Sequence, residues 1–249
     1  MALFCLVHGA CQGAWSWNLL IPHLEARGHK TVAMDLPIED PSATLSDFAD
    51  AVVQALPEDK DDLILVGHSM AGTVIPIVAT QRLVRKLVFL TALIPYPQIS
   101  TLDQFYDEID SDTLKLFGYQ PPEASKFEQF SDEPNMYNPA SLGKNPSESD
   151  AVAMEIFFHD CEPDVARWAI SKMRKQESMA YIYEVSPLKA FPDVECAYIV
   201  CTDDRIISPT WSRYAARKRL GADAIELPGG HCPSLSRPVH LADTLLNVL

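Results

Sequence analysis

Several features are missing from this chain of 249 residues, and each absence closes off a class of explanation. No apolar run approaches the length of a membrane span, and the N-terminus passes from Met1 directly into the apolar stretch Leu3 to Val7 without a basic leader or a cleavage site. A cytoplasmic protein without a membrane anchor is expected. The six cysteines (Cys5, Cys11, Cys161, Cys196, Cys201 and Cys232) form no CxxC pair and no zinc-site spacing, and Cys5 and Cys201 fall in runs that read as buried strands. Reduced core thiols are the expectation. Lysine and arginine number 20 against 34 aspartate and glutamate. On a chain with a net charge of −14 this argues against nucleic-acid and anionic-membrane partners, because phosphate binding draws on grouped cations. There is no dinucleotide-binding fingerprint, no Walker sequence and no histidine pair of zinc-ligand type, so no cofactor and no metal are expected.

What is present is a regular alternation. Short apolar runs at Leu3 to Val7, Thr31 to Leu36, Leu63 to Val66, Leu87 to Leu90, Ala197 to Cys201 and Ala224 to Leu227 read as buried parallel strands. Helical patterns separate the first four. The clearest has Leu45, Phe48, Ala49, Val52, Val53 and Leu56 on one face, opened by Thr44 with Asp47 three residues on, a variant capping box. Such alternation builds right-handed crossovers and a doubly wound, mostly parallel α/β sheet, which binds ligands beyond the carboxyl ends of its strands. After residue 94 the alternation stops for roughly a hundred residues rich in acid, proline and aromatics, too long for a structureless loop. Helices are predicted around Leu102 to Phe117, Ala151 to Phe158 and Asp164 to Met173, whereas Gln120 to Pro146 has too many prolines and polar residues for long elements. The expected organisation is a sheet domain of residues 1–94 and 191–249 with an inserted helical cap of residues 95–190.

Residues 62 to 72 carry the strongest chemical signal. An apolar strand runs into Gly67-His68-Ser69-Met70-Ala71-Gly72, with a helical pattern beyond, which is the form of a nucleophile elbow with Ser69 at its apex. The tight turn requires small residues two positions to either side. Gly67 fits the usual Gly-x-Ser-x-Gly pattern, whereas its last position is Ala71, with Gly72 one residue late. Pro76, in the helix that follows, is expected to remove a hydrogen bond or kink it.

A serine hydroxyl becomes a useful nucleophile only when a base takes its proton, and histidine titrates in the right range. Of seven histidines, His231 follows Leu227-Pro228-Gly229-Gly230 in a glycine loop just after the last strand, at the same sheet edge as Ser69. His8 and His68 read as turn-structuring groups, and His23, His29, His159 and His240 as surface or structural ones. A carboxylate should orient the imidazole from the end of an intervening strand. Asp203 and Asp204 both qualify. Asp204 is preferred, because Asp204-Arg205-Ile206-Ile207 has the usual spacing and Asp203 then serves the turn; the alternative position after Leu90 offers no carboxylate. Two backbone amides should hold an oxyanion. Met70 supplies one by position, and Ala10, in the small-residue turn His8 to Trp15, is the candidate for the other. Phe105, Phe157, Phe158 and Trp168 are candidate cap aromatics for an apolar acyl or alcohol pocket.

With Ser69, Asp204 and His231 in that order, the chain resembles the α/β-hydrolase superfamily. The opening His8-Gly9-Ala10-Cys11-Gln12-Gly13-Ala14-Trp15-Ser16-Trp17, followed by Leu24-Glu25-Ala26-Arg27-Gly28-His29, is similar to the plant methylesterase and hydroxynitrile lyase family and its bacterial relatives. The resemblance implies oxyanion donors at Ala10 and Met70, and it likens Phe157-Phe158-His159-Asp160-Cys161 to a lid helix over the pocket. The lyases resemble one another in a lysine directly after the catalytic histidine and a threonine in the first loop; here those positions are Cys232 and Gly9. A serine carboxylic ester hydrolase acting on a small apolar ester through an acyl-enzyme is therefore expected. A carbon–carbon lyase and a non-catalytic small-ligand receptor are the alternatives, and self-association as a homodimer is left open.

Overall fold

The computed structural model describes residues 1–58, 62–105 and 132–249. Six strands, β1 (Ala2–Val7), β2 (Lys30–Ala33), β3 (Asp62–His68), β4 (Lys86–Leu90), β5 (Glu195–Cys201) and β6 (Ile225–Leu227), form one sheet in the order β2-β1-β3-β4-β5-β6, and every neighbouring pair is parallel. All six apolar runs are strands. The reversal of strand order beside β1 and β3 brings the loops that follow them together at one edge, where a doubly wound sheet places its ligand.

The sheet is buried on both faces, which is why its strands read as continuous apolar runs rather than alternating ones. Within β1, Leu3, Cys5 and Val7 point into one core and Ala2, Phe4 and Leu6 into the other. The first core is closed by α2 (Leu45–Ala55), α3 (Ile75–Gln81) and α8 (Pro209–Leu220), and the second by α1 (Ile21–Glu25) and α10 (Pro238–Asn247). Helix α2 opens as the sequence predicts: the Thr44 side chain accepts from the Asp47 N–H, and the Asp47 carboxylate accepts from the Thr44 N–H. Two expectations need correction. The second apolar run leaves the sheet after Ala33, because the Leu36 N–H donates to His8 Nε2 at 2.9 Å instead of to a strand. Pro76 does not kink a helix. The chain makes a 3₁₀ turn over Ser69–Thr73 and only then starts α3, so Pro76 lies in the first turn, where its missing N–H has no partner to lose.

Among the described residues, none of the sheet strands comes from residues 95–190. That segment contributes α4 (Thr101–Phe105), α5 (Asp150–Ile156), α6 (Pro163–Lys172) and α7 (Ala180–Tyr183). The predicted helix from Leu102 matches α4 as far as Phe105, and its continuation to Phe117 lies outside the described residues. The predicted Ala151 to Phe158 and Asp164 to Met173 correspond to α5 and α6. Residues 132–146 form turns, as expected of their composition, and Gln120 to Ser131 lie outside the described residues. A third apolar cluster joins α5 and α6 to the sheet edge through Cys11, Cys232 and Leu235, the last on α9 (Pro233–Ser236). Among the described residues, no helix is long and apolar enough to cross a membrane.

Candidate active site

The turn after β3 is strained in the way the sequence anticipates. Ser69 has φ 53°, a left-handed conformation that costs a non-glycine residue free energy and persists only where the surroundings enforce it. Those surroundings are close. A Cβ on Gly67 would stand 2.9 Å from the Ala71 carbonyl oxygen, so no larger residue fits two positions before the serine. The glycine displaced from the usual motif has its own reason: a Cβ on Gly72 would stand 1.9 Å from the Leu93 carbonyl oxygen. Ala71 is tolerated because the closest backbone approach is made one residue later. Cys11 (φ 61°) and Thr91 (φ 39°), which flank the same site, are also left-handed.

The turn points Ser69 Oγ at His231, whose Nε2 lies 3.0 Å away. His231 Nδ1 lies 2.8 Å from Asp204 Oδ2, so Nδ1–H donates to the carboxylate and Nε2 is left to accept from the serine hydroxyl. All three residues are buried. The Asp204 oxygens accept four hydrogen bonds: Oδ1 from the Ile206 N–H at 2.6 Å and the Ile207 N–H at 3.1 Å, and Oδ2 from His231 and from the Thr91 hydroxyl. This distinguishes the two aspartates. Asp203 serves the turn, its Oδ2 accepting from the Gly229 N–H at 3.2 Å. Thr91 stands after β4, the place left without a carboxylate, and its hydroxyl holds the Asp204 carboxylate from β5. Sequence reasoning passed over it, since a threonine at a strand end carries no distinguishing pattern.

His8 and His68, expected to structure their own turns, bond distant loops: His8 Nε2 accepts from the Leu36 N–H, and His68 Nε2 lies 2.7 Å from the His231 carbonyl oxygen. Burial pushes the His8 pKa down to about 4 and that of His68 well below the ordinary range, so both rings are neutral. His29 accepts from the Ala2 N–H. The stretch Phe157 to Cys161 docks on the histidine loop: Asp160 Oδ2 accepts from the Gly230 N–H at 2.9 Å, and the Phe157 ring stacks on the His231 ring at 5.6 Å.

A cavity of about 440 Å³ opens over Ser69. Ala10 and Met70 line it together, as candidate oxyanion donors must. The Met70 amide is in the first turn of a helix, where N–H groups have no intrahelical acceptor. The loop carrying Ala10 is held from the other side, because the Cys11 N–H donates to Gln176 Oε1 at 3.1 Å. The remaining wall is mostly apolar, with Leu93, Ile156, Phe157, Ile206 and Ile207 among its residues.

Of the four candidate pocket aromatics, only Phe157 lines this cavity. Phe105 is one layer back, against Tyr137 at 4.8 Å, and Tyr137 forms the wall. Phe158, just beyond the end of α5, is fully buried in the third cluster with its ring edge-on to that of Phe157 at 5.7 Å. Trp168 packs edge-on against Trp15 at 5.5 Å. Many of the wall residues that the sequence did not reveal come from two irregular stretches, Tyr137 to Ser147 and Lys175 to Met179, where no periodicity marks an inward side chain.

A serine held in a strained turn between a strand and a helix, with a histidine and an aspartate bonded to it in series from later loops of the same sheet edge, is the arrangement that the comparisons place in a class. The chain belongs to the α/β hydrolase family, whose model matches residues 6–244. It is 30% identical to salicylic acid-binding protein 2 of Nicotiana tabacum over 98% of this chain and 96% of that protein. It is 28% identical to methylesterase 2 of Arabidopsis thaliana, over 98% and 95%. Among solved structures it is similar to an extracellular α/β-hydrolase from a Paenibacillus species, with a TM-score of 0.75 and 23% identity over 99% of this chain and 98% of that one.

Proposed function

We propose that this protein is a serine carboxylic ester hydrolase that turns over a small, apolar ester through an acyl-enzyme. The observation that carries the reading is the continuous relay from Ser69 Oγ through His231 to Asp204 beneath an apolar cavity. As Ser69 Oγ attacks the ester carbonyl, its proton passes to His231 Nε2, and Asp204 stabilises the resulting imidazolium. The amides of Ala10 and Met70 receive the oxyanion. His231 then protonates the departing alkoxide, and a water molecule activated by the same imidazole releases the acid. Residues 95–190 act as the cap that walls the cavity and keeps the acyl-enzyme from bulk water.

The name of methylesterase 2 supports this reading, and so do the competing groups in the site. Burial pushes the Cys11 thiol up, which leaves it a poor rival nucleophile on the cavity wall. Cys232 is buried against Gln12, and burial raises its thiol well above the ordinary range, so no cation follows His231 to stabilise departing cyanide. Of the cavity lysines, Lys144 and Lys175 are each paired with a glutamate, Glu155 and Glu177. The position directly after His231, where the resemblance places the lyase lysine, holds Cys232 instead. The test is hydrolysis of a short-chain p-nitrophenyl ester panel by wild type and Ser69→Ala. The reading expects turnover that falls by about 10⁴-fold or more in the variant. Equal rates for the two proteins would contradict it.

A further inference from the structure

We infer that Gln12 and His68 form a buried strut that positions His231 for proton transfer, a role that rests on the serine-hydrolase reading. His68 immediately precedes Ser69 and is buried, as is Gln12 in the loop that carries Ala10. His68 Nε2 lies 2.7 Å from the carbonyl oxygen of His231 itself. The other ring nitrogen, Nδ1, is 3.2 Å from Gln12 Oε1, and Gln12 Nε2 is 3.2 Å from Cys232 Sγ. Two side chains thus tie together the oxyanion loop, the elbow and the histidine loop.

The protons along this strut follow from chemistry. A neutral imidazole carries one N–H, and a carbonyl can only accept, so the proton sits on Nε2 and donates to His231. Nδ1 is then an acceptor. Oxygen and nitrogen of an amide are assigned from their partners, and the Gln12 amide satisfies the whole chain once it is turned over from Oε1 on His68 to NH₂ on His68, which leaves its oxygen facing the Cys232 thiol. No polar group in the strut is then left unpaired, which matters in a site this dry.

The end point of the strut makes it more than packing. His231 follows Gly229, at φ 132°, and Gly230, so the backbone that carries the base has little stiffness of its own. The imidazole must nevertheless meet Ser69 and Asp204 at once. Asp203 and Asp160 hold the amides of Gly229 and Gly230, and His68 holds the carbonyl of His231 itself, the contact nearest the imidazole along the chain. A neutral His68, with its ring 4.8 Å from the His231 ring, adds no second positive charge when His231 takes the serine proton.

The test compares His68→Gln with His68→Met. A glutamine carries an N–H donor near the place of imidazole Nε2, whereas methionine fills similar volume without one. For the ester the wild type turns over, His68→Met should lose about 10- to 100-fold in kcat with KM changed by no more than about twofold. The downfield proton resonance of His231 Nδ1–H should broaden through exchange, and His68→Gln should recover most of both. Urea denaturation checks that each variant is folded, and Gln12→Met replaces His68→Met in the comparison if the latter is not. Wild-type kcat and a sharp resonance in the methionine variant would overturn the strut, as would equal losses in the glutamine and methionine variants. A wild type inert to esters and unlabelled at Ser69 by a fluorophosphonate would instead sink the hydrolase reading, and the resonance contrast would still judge the strut.

Discussion

Gly72→Ala tests whether the elbow is held by the backbone approach behind it. The added methyl would stand 1.9 Å from the Leu93 carbonyl oxygen and 3.0 Å from Ala92 Cβ. The carbonyl belongs to a buried main chain that cannot swing aside like a long side chain, and the Leu93 N–H is itself bonded to the Ser69 carbonyl oxygen at 3.1 Å. The two segments must separate. Overpacking of this kind costs about 1–3 kcal/mol, and loss of the Leu93 to Ser69 hydrogen bond adds about 1 kcal/mol. Replacing a glycine returns up to about 1 kcal/mol through the unfolded chain. With a contact this short the overpacking term lies at its upper end, so the net loss should be about 3 kcal/mol. Gly28→Ala is the control: Gly28 has φ 83° and open space around it, so only left-handed strain applies, about 1 kcal/mol. Urea denaturation of the three proteins, followed by tryptophan fluorescence, gives the difference, and ester turnover should fall in Gly72→Ala because Ser69 moves with the turn. A Gly72→Ala protein within about 0.5 kcal/mol of wild type would refute the reasoning.

Two further outcomes follow from groups away from the nucleophile. The Arg219 guanidinium is buried between the Tyr96 and Trp211 rings and paired with the equally buried Glu133, which also accepts from the Trp211 ring N–H, so Glu133→Ala should cost about 3–5 kcal/mol by breaking a buried ion pair, whereas a loss under about 1 kcal/mol would mean the pair is solvated. Burial holds His8 at about 4 against its ordinary 6.5, so the unfolded chain takes up a proton there before the folded one does. Stability should therefore be complete above about pH 6.5 and decline as pH falls towards 4, by about 3 kcal/mol from this group, with buried His68 adding to the same slope. Urea midpoints that do not change between pH 7 and 4.5 would contradict it.

The sheet was legible because strands buried on both faces must be apolar throughout, and six such runs became six strands. The exception, Thr31 to Leu36, shows the limit: hydrophobicity continues past Ala33, but the Leu36 amide is claimed by a side chain, His8, from 28 residues away. Ser69, Asp204 and His231 were legible because each sits where a loop leaves a strand, with small or turn-forming neighbours. Thr91 and Gln12 were not, since their roles depend on which loops the fold brings together. The cavity wall was the least legible part. Phe157 and Phe158 are identical in type, adjacent in sequence and both packed in the third cluster, and only the fold decides that the first also lines the cavity. The displaced glycine of the elbow became intelligible only with the Leu93 carbonyl beside it.

The central claim is that Ser69 becomes acylated. Its most direct test is to incubate wild type and Ser69→Ala with a slowly deacylating aryl ester, quench in acid, and determine intact and peptide masses. The account predicts a single acyl adduct on the peptide that contains Ser69, absent from the variant. An adduct on Cys11 or elsewhere, or product formed without an adduct on Ser69, would contradict it.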